Sequence, residues 1–121
     1  MSLYTDLGAD EAIAMALDRF YDKVYADPQI GIYFAKVDRK RLKLHASAFL
    51  AMAFGGPNHY GGPGLRVAHA GPRSMGLNES DADVFLKHFR STLEELDVPS
   101  DKVEQVMGIA NGGLDDVLDR P

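Results

Sequence analysis

A chain of 121 residues is long enough for one domain and too short for two. With 45% hydrophobic and 26% charged residues and a net charge of −5, it reads as a soluble globular protein and lacks the basic footprint of general nucleic-acid binding. The absence of cysteine excludes disulfides, thiolate zinc sites and cysteine nucleophiles, and fits a reducing compartment.

Five segments show helical spacing and none shows a period of two. The start, Met1 to Asp6, has no basic region followed by an apolar run, so it does not read as a signal peptide. The first long helix is predicted over Ala9 to Ala26, where Ile13, Leu17, Phe20, Tyr21 and Val24 form one apolar stripe. Asp27-Pro28 ends it, because the residue before proline disfavours the helical region. A short turn then carries Ile30, Ile32, Tyr33 and Phe34.

Asp38 is a good N-cap for a helix reaching Phe54, with Leu42, His45, Ala46, Phe49, Leu50 and Ala53 on one face. Its apolar run, Ala48 to Phe54, is far too short to span a bilayer. Gly55-Gly56-Pro57 stops the helix and opens a glycine-rich hinge that extends to Gly64. A short helical turn is predicted over Leu65 to Ala70, ended by Gly71-Pro72. Asn78, with Asp81 three residues on, opens a helix to Leu96 with Phe85, Phe89, Leu93 and Leu96 on its face. Asp97 or Ser100 opens the last, whose stripe is Val103, Val106, Met107, Ala110, Leu114 and Val117. The expectation is an all-α domain spanning residues 1–121 with four substantial helices.

Two histidines stand out. His69 lies past the glycine hinge, between turns, and His45 lies on the apolar face of the preceding helix. Two imidazoles from separate segments, aimed at one apolar space, can hold a metal or haem, since neutral imidazole is a common iron ligand. Each could equally be a surface or core histidine. No His-Glu-x-x-His motif or carboxylate set accompanies them, so a zinc hydrolase does not fit. A haem-free helical interaction module is the remaining alternative.

Several segments carry a resemblance in order: Leu3 to Gly8, Phe20-Tyr21 with Val24, Ala26-Asp27-Pro28, Phe34, and Arg41-Leu42-Lys43. Ala48-Phe49-Leu50, Gly55-Gly56-Pro57 with Tyr60-Gly61, the His69 segment and Leu96 to Pro99 complete it. Over almost its full length the chain resembles the group I truncated hemoglobins. The resemblance implies a two-over-two helical sandwich and His69 as proximal ligand to haem iron, on a segment that is mostly loop. It implies that the Tyr21 hydroxyl donates a hydrogen bond to bound ligand, that Phe34 packs on the haem, and that Phe20, Phe49 and Phe85 line the pocket. Arg41 and Lys43 would meet the haem propionates.

The chain departs from the family pattern on the distal side. Histidine stands at position 45 as in some cyanobacterial relatives, where it binds iron. Ala46 replaces a common glutamine, and Leu42 is apolar where some relatives are polar. His45 would therefore ligate iron, swing out to a propionate, or face solvent without a role. The covalent haem link of some relatives needs a histidine in the final helix, and none follows His88. Non-covalent haem b is expected, with His59 and His88 as surface residues. Gly8-Ala9 stands where the family commonly has a glycine pair.

The implied function is binding of oxygen, nitric oxide and carbon monoxide, with nitric oxide dioxygenation as an enzymatic use that requires a separate reductase. The competing function is a bis-histidyl electron-transfer or redox-sensing protein. A cytoplasmic monomer with no membrane or nucleic-acid partner is expected.

Overall fold

Leu3–Leu7 forms a short helix, α1, and Gly8 turns the chain into α2, Ala9–Ala26. The computed structural model describes residues 3–56 and 69–118, and the described residues form helices and turns without a strand. Every residue of the predicted α2 stripe is buried. Asp27 is extended at φ −80° and ψ 121°, the conformation that Pro28 favours before it, and the helix ends there. A 3-10 helix, Gly31–Phe34, leads to α3, Arg39–Ala53. The Asp38 side chain caps α3 by accepting from the Lys40 N–H at 3.0 Å.

The end of α3 shows why two glycines stand together. Gly55 takes φ 85°, its N–H donates to the Met52 carbonyl, and the Gly56 N–H donates to the Ala51 carbonyl at 2.8 Å. This left-handed cap satisfies carbonyls that the helix leaves open. A Cβ on Gly56 would collide with the Tyr4 ring. Residues 57–68, with His59, Tyr60 and most of the predicted Leu65 to Ala70 turn, lie outside the described residues.

Two expectations for the second half are corrected. Gly71-Pro72 does not end a helix but lies inside α4, Ala70–Ser74. Proline is tolerated there because first-turn N–H groups have no partner within the helix. The last stripe is not one helix: α6, Ser100–Gly112, breaks at Gly113 before the short α7, Leu114–Val117. Adjacent Gly112 and Gly113 weaken helix propagation at that point.

Between these lies α5, Glu79–Glu95, with the predicted capping box: Asn78 Oδ1 accepts from the Asp81 N–H and Asp81 Oδ2 accepts from the Asn78 N–H. Asp97 closes α5 rather than opening α6. It sits at φ 59°, its N–H donates to Glu94, and the Val98 N–H donates to Leu93. Pro99 precedes α6 without a side-chain cap.

Helix α2 packs on both α3 and α5, and α5 packs on α6. The two pairs form the two-over-two sandwich. Leu17, Val24, Ile30 and Val106 are among the least exposed core residues, and each such side chain contributes roughly 1.5–3 kcal/mol on burial.

A polar seam joins the end of α2 to α5. Tyr33 donates to Asp81 at 2.6 Å, and Gln29 Nε2 donates to Asp81 Oδ1 at 2.9 Å. His88, expected on the surface, is half-buried with Nε2 2.7 Å from Asp27 Oδ2. Sixty-one residues separate the pair, so no local spacing reveals it.

Candidate functional site

Helix α2 delivers Phe20 and Tyr21, consecutive residues at a wide apolar stripe, into one aromatic cluster. Phe20 meets Phe85 edge-on, with centroids 4.8 Å apart and planes at 88°. Phe34, from the 3-10 helix, stacks on Phe85 from α5 at 6.2 Å with planes 13° apart. Tyr21 lies 6.4 Å from Phe34 and 5.4 Å from Phe20. Phe20, Tyr21, Phe34 and Phe85 are therefore brought together in one cluster.

Tyr21 is 4% exposed, and no group among the described residues hydrogen-bonds its hydroxyl. A sealed, unpaired hydroxyl would be costly. No sealed and unpaired side-chain oxygen or nitrogen occurs among the described residues, so the Tyr21 hydroxyl itself keeps some access. Burial pushes the phenol well above its usual range, the Tyr25 ring beside it adds to the effect, and Arg39 opposes it. The group stays a neutral hydrogen-bond donor at any physiological pH.

Helix α3 packs against α2. Leu42, Ala46 and Leu50 follow helical spacing and pack against the core, yet each remains only half-buried, as does Phe49. Of the fifteen residues of α3 only Ala51 is buried, against five of eighteen in α2. An apolar face left half-exposed beside an aromatic cluster suits a flat apolar cofactor, and the accessible Tyr21 hydroxyl supplies one polar donor to it. The donor set therefore fits haem.

The two histidines differ in setting. The His45 ring stands exposed on α3. His69 is half-buried at the start of α4, where its carbonyl accepts from the Arg73 N–H at 3.0 Å. They sit on separate elements, and the exposure of His45 departs from its expected place on the apolar face of the helix.

The basic residues divide into paired and unpaired. Lys43 meets Asp18 on α2 at 2.8 Å, and Arg41 is exposed. Sequence reasoning missed Arg39, whose guanidinium reaches Asp22 at 2.7 Å and the Asp18 carbonyl at 2.8 Å, and lies 5.5 Å above the Tyr25 ring. The available signal was its place at the start of α3, opposite the acidic Asp18 and Asp22 of α2.

The bacterial-like globin family model matches residues 2–113. The group 1 truncated hemoglobin GlbN of Synechocystis is 37% identical over 110 residues, covering 90% of this chain and 89% of that protein. The relative from Chlamydomonas moewusii is 34% identical and covers 99% of this chain and 70% of its own length. Among solved structures, the 2/2 hemoglobin of Synechococcus, in the cyanomet state with covalently attached heme, superposes with a TM-score of 0.95 at 33% identity, covering 99% of this chain and all of that one. THB1 of Chlamydomonas reinhardtii gives 0.82 at 34% identity, covering 96% and 95%. With the two-over-two helices and the aromatic cluster already in place, these matches show that the chain belongs to the bacterial-like globins, as a group 1 truncated hemoglobin.

Proposed function

We propose that this globin holds haem b non-covalently between α3 and the aromatic cluster and binds oxygen, nitric oxide and carbon monoxide. The observation that carries this reading is the half-exposed apolar face of α3 beside the buried Tyr21. Bound haem supplies the iron and its redox chemistry. His69 would hold the iron as proximal ligand through an imidazole nitrogen. Phe34 packs on the cofactor face, and Phe20, Leu42, Phe49 and Phe85 exclude water. Tyr21 holds its proton and donates it as a hydrogen bond to ligand. Arg41 and Lys43 balance the propionate charge, which offsets the cost of cations at the start of α3.

His45 would hold the iron as a second ligand. Its exposure favours exchange between iron and solvent over permanent binding, so that its departure would gate ligand entry. No histidine follows His88, which supports haem that acid butanone extracts. Residues 1–121 act as a cytoplasmic monomer of one domain. Conversion of nitric oxide to nitrate is the enzymatic use of the site, with electrons from a separate reductase. A second reading, a bis-histidyl electron-transfer or redox-sensing protein, rests on the same His45 staying bound.

The test is absorption and resonance Raman spectroscopy of hemin-reconstituted wild type, His69→Ala and His45→Ala, ferric and ferrous. The expected result is a low-spin wild type, a high-spin His45→Ala, and loss of the proximal iron–histidine band in His69→Ala. Wild type that takes up no hemin overturns the whole reading, and a high-spin wild type removes His45 from iron. Slow carbon monoxide binding to a six-coordinate ferrous form selects the electron-transfer reading.

A further inference from the structure

The segment from Ile32 to Leu44 carries two features that the pocket uses only in part. The first is charge. Residues 36–44 hold five cations and one carboxylate, a local charge of +4 in a chain of −5, which leaves −9 on the remainder. Arg39 and Lys43 are engaged with Asp22 and Asp18, whereas the side chains of Lys36, Lys40 and Arg41 are exposed and form no ion pair among the described residues. Three of the five cations fill the first turn of α3, where they oppose the helix dipole, and the only carboxylate beside them is the capping Asp38. Helix stability therefore does not account for them.

The second feature is apolar exposure. Ile32 is 61%, Val37 42% and Leu44 73% exposed, three of the large apolar side chains most open to solvent among the described residues. Lys40 and Leu44 lie four residues apart on α3 and share its outer face. An apolar centre rimmed by charge is the usual anatomy of a protein contact.

We infer that Ile32, Lys36, Val37, Lys40 and Leu44 form the docking surface for an acidic one-electron donor protein. This rests on the haem reading above, since a turning-over haem needs electrons and the chain has no flavin or nicotinamide motif. Charge complementarity identifies the partner as acidic. A small protein footprint feels the unpaired Lys36 and Lys40 ahead of the acidic remainder, because surface fields are screened within about 8 Å at physiological salt. Lys40 and Leu44 lie on α3, the helix that carries Leu42 and Phe49 of the proposed pocket, and Ile32, Lys36 and Val37 lie in the segment just before it. In the transfer an anionic flavin hydroquinone loses one electron and becomes the neutral semiquinone, ferric iron becomes ferrous, and no proton moves.

The probe is reduced flavodoxin, an acidic donor, with the hemin-reconstituted chain. Association by isothermal titration and the second-order reduction rate by stopped flow are both measured against ionic strength. Wild type should bind and be reduced fastest at low salt. Lys36→Glu with Lys40→Glu should weaken binding and slow reduction by about tenfold or more at low salt. Leu44→Ser should weaken binding and leave the salt slope unchanged. Dithionite reduction and absorption spectra should match wild type in every variant. Wild-type binding and rates in the charge-reversed variant overturn the proposal. So does flavodoxin indifference with charge-dependent binding to vesicles of phosphatidylcholine and phosphatidylserine. Failure to take up hemin sinks the haem reading alone, because titration of the haem-free chain with flavodoxin still reads the surface.

Discussion

The Tyr33 hydroxyl donates to the Asp81 carboxylate at 2.6 Å, and this bond fastens the residue before Phe34 to the first turn of the helix that carries Phe85. Sequence neighbours of a stacked aromatic pair are thus tied by a polar pair. Tyr33→Phe removes one hydrogen bond to a charged group and leaves Asp81 with Gln29 and the Asn78 N–H. The expected cost is about 1.5–2 kcal/mol in urea unfolding, with m unchanged. A loss below a few tenths would show that the bond contributes nothing net.

Asp81 and Asp27 are both held below the usual carboxylate range. Tyr33 and then Gln29 hydrogen-bond Asp81, and His88 hydrogen-bonds Asp27. Folding therefore favours their ionised forms. That stability is complete above the unfolded value of about 4 and is lost as pH falls through the lowered folded values. Tyr33 behaves in the opposite sense: burial, and then Asp81, pushes its phenol up to about 12. Its contribution is complete below about pH 10 and is lost as pH rises towards the folded value. Thermal melts should decline on both flanks, and Tyr33→Phe should shrink the alkaline decline while Tyr21 retains its share. An unaltered alkaline limb in that variant would refute the assignment.

Tyr21→Phe separates stability from ligand binding. No described residue pairs with the hydroxyl, so unfolding should change by less than about 1 kcal/mol. In the haem-loaded protein, oxygen dissociation should accelerate by about 10- to 100-fold, which corresponds to a hydrogen bond of roughly 1.4–2.8 kcal/mol. Equal dissociation rates in flash photolysis would remove Tyr21 from the distal pocket.

Ala9 sits at φ 60° directly after Gly8 at φ 109°. A left-handed alanine costs roughly 1–2 kcal/mol, and glycine bears no such cost. Ala9→Gly should therefore raise stability by about 0.5–1 kcal/mol, after subtraction of glycine's greater freedom in the unfolded chain. A lowered melting temperature would mean that this turn relaxes once the alanine is gone.

Local signals made most of the fold legible. The α2 stripe, the Asp38 cap and the Asn78–Asp81 box each lie within a few residues, and each stands where spacing put it. Aromatic partners were legible only as apolar positions, because Phe34 and Phe85 meet through tertiary packing. Gly71-Pro72 misled because a proline ends a helix in its interior and fits one in its first turn, and the sequence does not say which applies. Asp97 misled for a related reason: it is a good N-cap type that here takes the left-handed place closing the previous helix. His88 and Asp27 carry no mutual spacing at all. His45 and His69 were found as residue types, while their accessibility came only from the structure.

The light packing of α3 has a consequence for motion. Asp38 caps one end of the helix and the Gly55–Gly56 turn against Tyr4 closes the other; between them Lys43 pairs with Asp18 of α2, the residues facing the core stay half-buried, and only Ala51 is fully buried. Segments with few buried contacts open locally at lower free energy than the core. Backbone amides in the middle of α3 should exchange with deuterium well before those of α2, without global unfolding. The element bearing His45 is then the one that breathes, which is the motion that the proposed gating by His45 calls for.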